Sequence, residues 1–215
     1  MRLQPSARNA MELMRVGAVM RQYLVGAFLA VQTAASLVPM VAMAQERGTL
    51  AEKRVAELPP GPLFWRLENY NTLAEARAAE GALGLAAEAG GKVWLFTLGP
   101  AGGSSAGGQK VAEIGPLAPV VAPQYLLLIN QAVGAPGSKR GVHTHPGTEA
   151  FYVLAGEQSI NTPQGITRVG VGKSHSGVPA GTPMQSLSTG ATDMLSVVMF
   201  VLDATQPFSA PAQLP

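Results

Sequence analysis

The chain of 215 residues contains no cysteine. That excludes disulfides, thiolate metal sites and thiol catalysis, so packing, assembly or a metal held by other ligands must stabilise the fold. A basic surplus is also missing. The formal net charge is +2, but Arg2, Arg8, Arg15 and Arg21 fall in the first 44 residues against Glu12 alone. Of 15 basic and 13 acidic residues, 11 and 12 lie beyond that segment. No basic face is left to bind nucleic acid. A phosphate loop is absent too: the Gly-rich stretch "GPAGGSSAGGQ" (99–109) is followed by Lys110-Val111, without the Lys-Ser/Thr step after its last glycine. It reads as a flexible surface loop. Histidine is scarce, with three in the chain, and no nucleophile elbow accompanies them, so a Ser/His/Asp triad has no support.

The front of the chain is what an exported protein carries. Residues 23–44, "YLVGAFLAVQTAASLVPMVAMA", hold no charge, follow Arg15 and Arg21, and end in Ala-Met-Ala before Gln45. A basic region, an apolar run and a small-x-small end describe a secretory signal peptide. A start at Met20 would make it more compact. The run is about long enough for a membrane span, but Gln32, Thr33, Ser36 and Pro39 interrupt it. The expectation is therefore a cleaved signal over 1–44, a periplasmic or secreted bacterial protein, and no membrane association afterwards.

Beyond the signal, residues 45–60 read as a polar lead-in, helical or extended, stopped by Pro59-Pro60. Residues 61–109 read as strand, helix and strand: "GPLFWRLENY", then "TLAEARAAEG" opening at Asn71/Thr72 as N-cap, then a Gly90-Gly91 turn and a strand over 92–98. The remainder reads as β throughout. Strands are expected at 110–115, 124–133, 150–155, 157–162, 166–171, 185–189 and 193–202, separated by Gly/Pro turns. Such spacing indicates a sandwich or barrel over 110–205. A Pro-rich tail, 206–215, is expected to lie on the surface or fray. Trp65 and Trp94 sit in apolar strands and are expected in the core.

Two of the three histidines, His143 and His145, stand one residue apart, and Glu149 follows a tight Pro-Gly-Thr turn. On a strand, residues i and i+2 share a face. Both imidazoles would point into one space, and the turn can return the carboxylate to them. Two His and one carboxylate leave metal positions open for water or substrate. The fixed positions are Gly137, His143, His145, Glu149 and Gly156, with five residues after Gly137, three before Glu149 and six after it. In this spacing the chain resembles the first motif of the cupin superfamily position for position. "GKVWLFTLG", "VAEIGPL" and "PAGTPM" extend the likeness to a subgroup of small exported bacterial cupins.

The resemblance implies an all-β-dominated fold: a cupin double-stranded β-helix, or jelly-roll barrel, with a short N-terminal strand–helix–strand extension. It implies one divalent metal ion held by His143, His145 and Glu149. A second motif ordinarily adds a histidine after a Pro-x-Gly turn. Here that turn is Pro179-Ala180-Gly181, the ligand position holds Met184, and the later Asn position holds Ser188. His175 is therefore a candidate fourth ligand, Gln185 or a water another, and both His175 and Gln185 are candidates for proton transfer. A thioether from Met184 suits Cu(I) rather than harder ions, and a buried Met is commonly core filler. His and carboxylate donors admit Zn, Mn, Fe, Ni or Cu. Two functions fit: a metal-dependent enzyme of oxygenase, isomerase or lyase type acting on a small molecule, or a non-catalytic small-ligand module. A homodimer is what the resemblance further implies.

Overall fold

The computed structural model describes residues 45–215; the expected signal segment, 1–44, lies outside them. Among the described residues the fold is almost wholly antiparallel β-structure. β1 (Glu46–Val55), β6 (Tyr125–Gly134), β13 (Met194–Asp203), β8 (Gly147–Ala155) and β11 (Ser174–Val178) form one sheet in the order β1-β6-β13-β8-β11. β10 (Gly165–Gly170), β9 (Glu157–Thr162) and β12 (Gln185–Ser188) form a second, smaller sheet in that order. The segment before His145 runs antiparallel to the one after Gly181, through Arg140 N–H to Ser186 O (3.0 Å) and a mutual pair between His143 and Met184 (3.0 and 2.8 Å). This closes the barrel wall. Opposite the barrel, β2 (Phe64–Tyr70), β3 (Gly84–Ala89), β4 (Lys92–Gly99) and β5 (Gln109–Ile114) make a third sheet, β3-β4-β2-β5.

Two cores result, and β13 faces both. Val197, Met199 and Val201 pack with Trp65, Trp94 and Phe96 between the third sheet and the outer face of the barrel. Val198, Phe200 and Leu202 point the other way, joining Phe151, Ile160 and Met184 inside the barrel. A strand buried on both faces must be apolar without alternation, as "MLSVVMFVLD" is. Both tryptophans are core residues, and Trp94 Nε1 donates to Ala89 O (2.9 Å).

Several expectations are corrected. Of the two readings of the lead-in, helical or extended, the extended one applies: it is β1, a ten-residue strand of the barrel sheet. Its register shifts between Thr49 and Ala51. Residue 110 onward, expected to open the barrel, instead pairs with β2 as the edge of the third sheet. The strand–helix–strand extension is a four-stranded sheet with one short helix, α1 (Leu73–Ala78), started by a full capping box between Thr72 and Glu75. The glycine–serine loop is clasped rather than loose. Ser105 N–H donates to buried Glu68 (2.8 Å), Arg66 donates to Ser105 Oγ (3.0 Å), and Tyr70 donates to Ala106 O (3.0 Å). The tail takes the first of its two expected courses, lying extended on the surface, where β14 (Ala210–Pro211) pairs with β7 (His143–Thr144).

Candidate metal centre

The chain crosses from one barrel sheet to the other between His145 and Glu149. β7 lies against the segment carrying Met184, whereas Glu149 sits on β8 opposite Phe200 of β13. The crossing is tight. A Cβ at Gly147 would lie 2.0 Å from Val201 O, so only glycine lets the backbone pass. Gly156, where β8 turns into β9, has φ +66° and would collide with Asp193 O at 2.6 Å. Two of the glycines around the histidines therefore have steric reasons of their own.

This crossing aims three donors at one point. One ligand atom from each of His143, His145 and Glu149 lies within 4.8 Å of the others, and all three residues are buried. The imidazoles meet nearly edge to face, 4.9 Å between centroids. Each uses Nδ1 on a backbone carbonyl, His143 on Gly141 O (2.8 Å) and His145 on Phe208 O (2.6 Å). A carbonyl can only accept, so the proton sits on Nδ1 and the Nε2 lone pair is free. Both Nε2 atoms and Glu149 Oε2 are buried without a hydrogen-bond partner. His145 Nε2 and Glu149 Oε2 approach to 3.1 Å, but the His145 proton faces the other way. Three convergent donors without hydrogen-bond partners are what a divalent ion requires. The residues fit a metal.

Charge supports the same state. Burial drives the His143 pKa below its ordinary value, against weaker opposing pulls from Gly141 O and Glu149, so the ring is neutral near pH 7. Burial would raise the Glu149 carboxyl, but the Arg47 guanidinium, the largest opposing pull, holds it down at about 2. Arg47 Nη2 lies 3.3 Å from Glu149 Oε1, and its side chain is only 7% exposed. Sequence reasoning passed over this residue. It stands in the supposed lead-in, and the β1 bulge hides its orientation. Arg47 pairs with Ala132 on the barrel-interior face, whereas beyond the bulge Ala51 pairs with Ile129 on the outer-core face. Plain alternation would put positions 47 and 51 on one side.

The other candidates are placed elsewhere. His175, the proposed fourth ligand, pairs with Phe151 and lies flat on its ring, 5.5 Å away at 6°. Its Nδ1 accepts from Gly177 N–H (3.2 Å), so its Nε2 carries the proton and is no ligand in this state. Gln185, the other candidate for completing the shell or moving a proton, donates to Arg140 O (2.8 Å). Its neighbour Met184 takes the alternate face, fully buried and directly opposite His143. The second-motif corner is thus filled by a thioether packed in the barrel core. Beside His145 a cleft of about 420 Å³ opens between Thr144, Pro146, Gly181 and Gln206.

Two barrel sheets, with the histidine pair on one wall and the glutamate on the facing one, repeat the arrangement that the motif spacing implied. The chain has a cupin fold. No protein-family description matches the sequence, and no curated protein does. Solved structures with a similar barrel include an uncharacterised protein with a double-stranded β-helix domain from Klebsiella pneumoniae, 18% identical. That match covers 40% of this chain and 75% of that one, with a TM-score of 0.36. The polyketide cyclase RemF from Streptomyces resistomycificus is 19% identical over 41% of this chain and 62% of its own (TM-score 0.35). An oxalate oxidase in complex with the substrate analogue glycolate is 23% identical over 40% and 46% (TM-score 0.35). The chain thus spans under two thirds of the cyclase and under half of the oxidase.

Proposed function

We propose that this cupin holds one divalent ion on His143, His145 and Glu149 and acts on a small molecule at the barrel mouth. The observation that carries the reading is the pair of Nδ1-anchored imidazoles whose Nε2 atoms, with Glu149 Oε2, are buried, unpartnered and convergent. Bound there, Zn, Mn, Fe, Ni or Cu would polarise a substrate oxygen or activate water or dioxygen. The chain supplies two neutral imidazoles and one carboxylate, and the backbone carbonyls of Gly141 and Phe208 fix both rings in the ligating tautomer. The cleft beside His145 offers a small molecule an approach. Export with removal of residues 1–44, and pairing of two copies, belong to the same reading.

A second reading, capture of a small ligand without turnover, draws on Met184. A thioether where the second motif ordinarily places histidine suits hard divalent ions poorly. Elemental analysis of natively secreted, tag-free protein beside a His143→Ala/His145→Ala double variant separates the two. About one equivalent of a single metal in the parent, lost in the variant, is the expected result for a preformed site. A folded parent that takes up none of the five ions would leave the ligand-capture reading.

A further inference from the structure

Arg47 is more than a counterion. Its Nη2 reaches Glu149 Oε1, but Nε and Nη1 are buried with no partner, and the guanidinium lies over the Phe200 ring at 5.5 Å. Phe200 also contacts His145, 5.0 Å between centroids, so the guanidinium and the donor trio share one aromatic floor. A guanidinium presents its donors in a planar fork that matches a carboxylate. Here one arm of the fork is used and the rest is not.

The charge balance points the same way. With a divalent ion on neutral His143 and His145, the anionic group the chain contributes is Glu149, and Arg47 adds a further positive charge. Arg140 stands close enough to repel Arg47: its pKa is lowered by burial first and by Arg47 second. With the ion bound, the ion and Arg47 together would exceed the charge of Glu149 inside the barrel, which is costly until an anion enters.

We propose that Arg47 is the anion-recognition residue of this site, and that the small molecule is an organic carboxylate. One carboxylate group lies against the edge of the Arg47 guanidinium that Glu149 leaves free, beside the donor trio and above Phe200. The proposal rests on the metal-dependent reading above, and the residue comes from outside both histidine-bearing motifs.

The test compares parent, Arg47→Gln and Arg47→Lys, each natively secreted, tag-free and checked for fold by circular dichroism. Formate, acetate, propanoate and benzoate are titrated against each protein by calorimetry and ligand-observed NMR, with and without added zinc. The neutral amide of each acid serves as control. Bound zinc is measured on the same samples. In the zinc-loaded parent, at least one acid should bind roughly tenfold more tightly than its amide, as expected for one charge-assisted fork. Arg47→Gln should lose that roughly tenfold preference while keeping its zinc; Arg47→Lys should keep part of it, since a point charge replaces the fork. Equal carboxylate binding in parent and both variants, or a parent that never distinguishes acid from amide, overturns the proposal. Should Arg47→Gln fail to fold, Arg47→Lys decides alone: parent-like binding overturns it. A parent that takes no zinc sinks the metal reading instead. The metal-free titrations then judge Arg47 on the same acid-over-amide criterion.

Discussion

The two cores of this protein lie on opposite faces of one sheet, sharing β6, β13 and β8, yet they differ in what they hold. The outer one, between the third sheet and the barrel, is built from Trp65, Trp94, Phe96 and the odd-numbered residues of β13. The inner one mixes Phe151, Phe200 and Met184 with His143, His145, Glu149 and the nearly buried Arg47. Polar groups inside a barrel cost free energy unless they pair, and here several do not. The outer core is where the fold gains stability. The inner one carries the unpartnered polar groups of a site, a division expected when one sheet must both stand and function.

Breaking the outer core should cost most. Trp65→Ala should lower stability by about 3–5 kcal/mol, the range for deleting a large buried aromatic, read from denaturant midpoints. Metal content per folded molecule should stay unchanged, because Trp65 touches none of the donors. If metal is lost in proportion to stability, the two cores are not separable.

Arg47→Gln attacks the inner core. Without metal it leaves Glu149 buried beside no cation, at a cost of about 3 kcal/mol. Added zinc should restore most of that loss, since a bound cation then faces the same carboxylate. A variant whose melting temperature zinc fails to raise would show that Arg47 and the donor trio do not share a field.

Acid should separate the cores without any mutation. Folded His143 and His175 have lowered pKa values, both chiefly from burial. Their contribution is full above the ordinary value of 6.5 and is lost as pH falls below it. Glu149 is held at about 2 against an ordinary 4.5, so its contribution is full above 4.5 and lost as pH falls towards 2. Metal-free protein should therefore lose stability in two successive acid windows, and Arg47→Gln should blunt the lower one. A single transition, unaltered by the variant, would contradict the electrostatics described.

Phe208→Ala should have a smaller effect, about 1–2 kcal/mol for an aromatic contact with His145 and Phe200. The Phe208 carbonyl persists, so zinc affinity should fall only as far as the tail loosens. Thr72→Ala, which removes the capping box of α1, should cost about 1 kcal/mol and leave the barrel untouched.

Much of this division could be read from residues alone. The alternation and turns of 124–202 marked most barrel strands, and the His-x-His spacing with Glu149 located the donors now found together. Three things were hidden. β1 lacks a hydrophobic pattern because half of it faces one core and half the other, with a bulge between. β5 is short and β-like, and nothing local says which sheet it joins; pairing with β2 is a non-local choice. His175 and Gln185 had suitable chemistry, but each is engaged by a backbone group, Gly177 N–H and Arg140 O, that only the folded register brings near.

The docked tail has a consequence for the order of assembly. His145 owes its tautomer to Phe208, and one edge of β7 is paired by Ala210 and Pro211 while the other faces Met184. At the other extreme, Glu149 owes its charge to Arg47. The site is therefore tied from both ends of the described chain, and contacts of such long sequence separation form late in folding. A chain still emerging, with the barrel strands present but the tail not yet laid down, would hold three donors whose lone pairs are not yet aimed. Ion capture would then mark a finished molecule, and a clipped C-terminus would give a folded barrel that has lost its grip on metal.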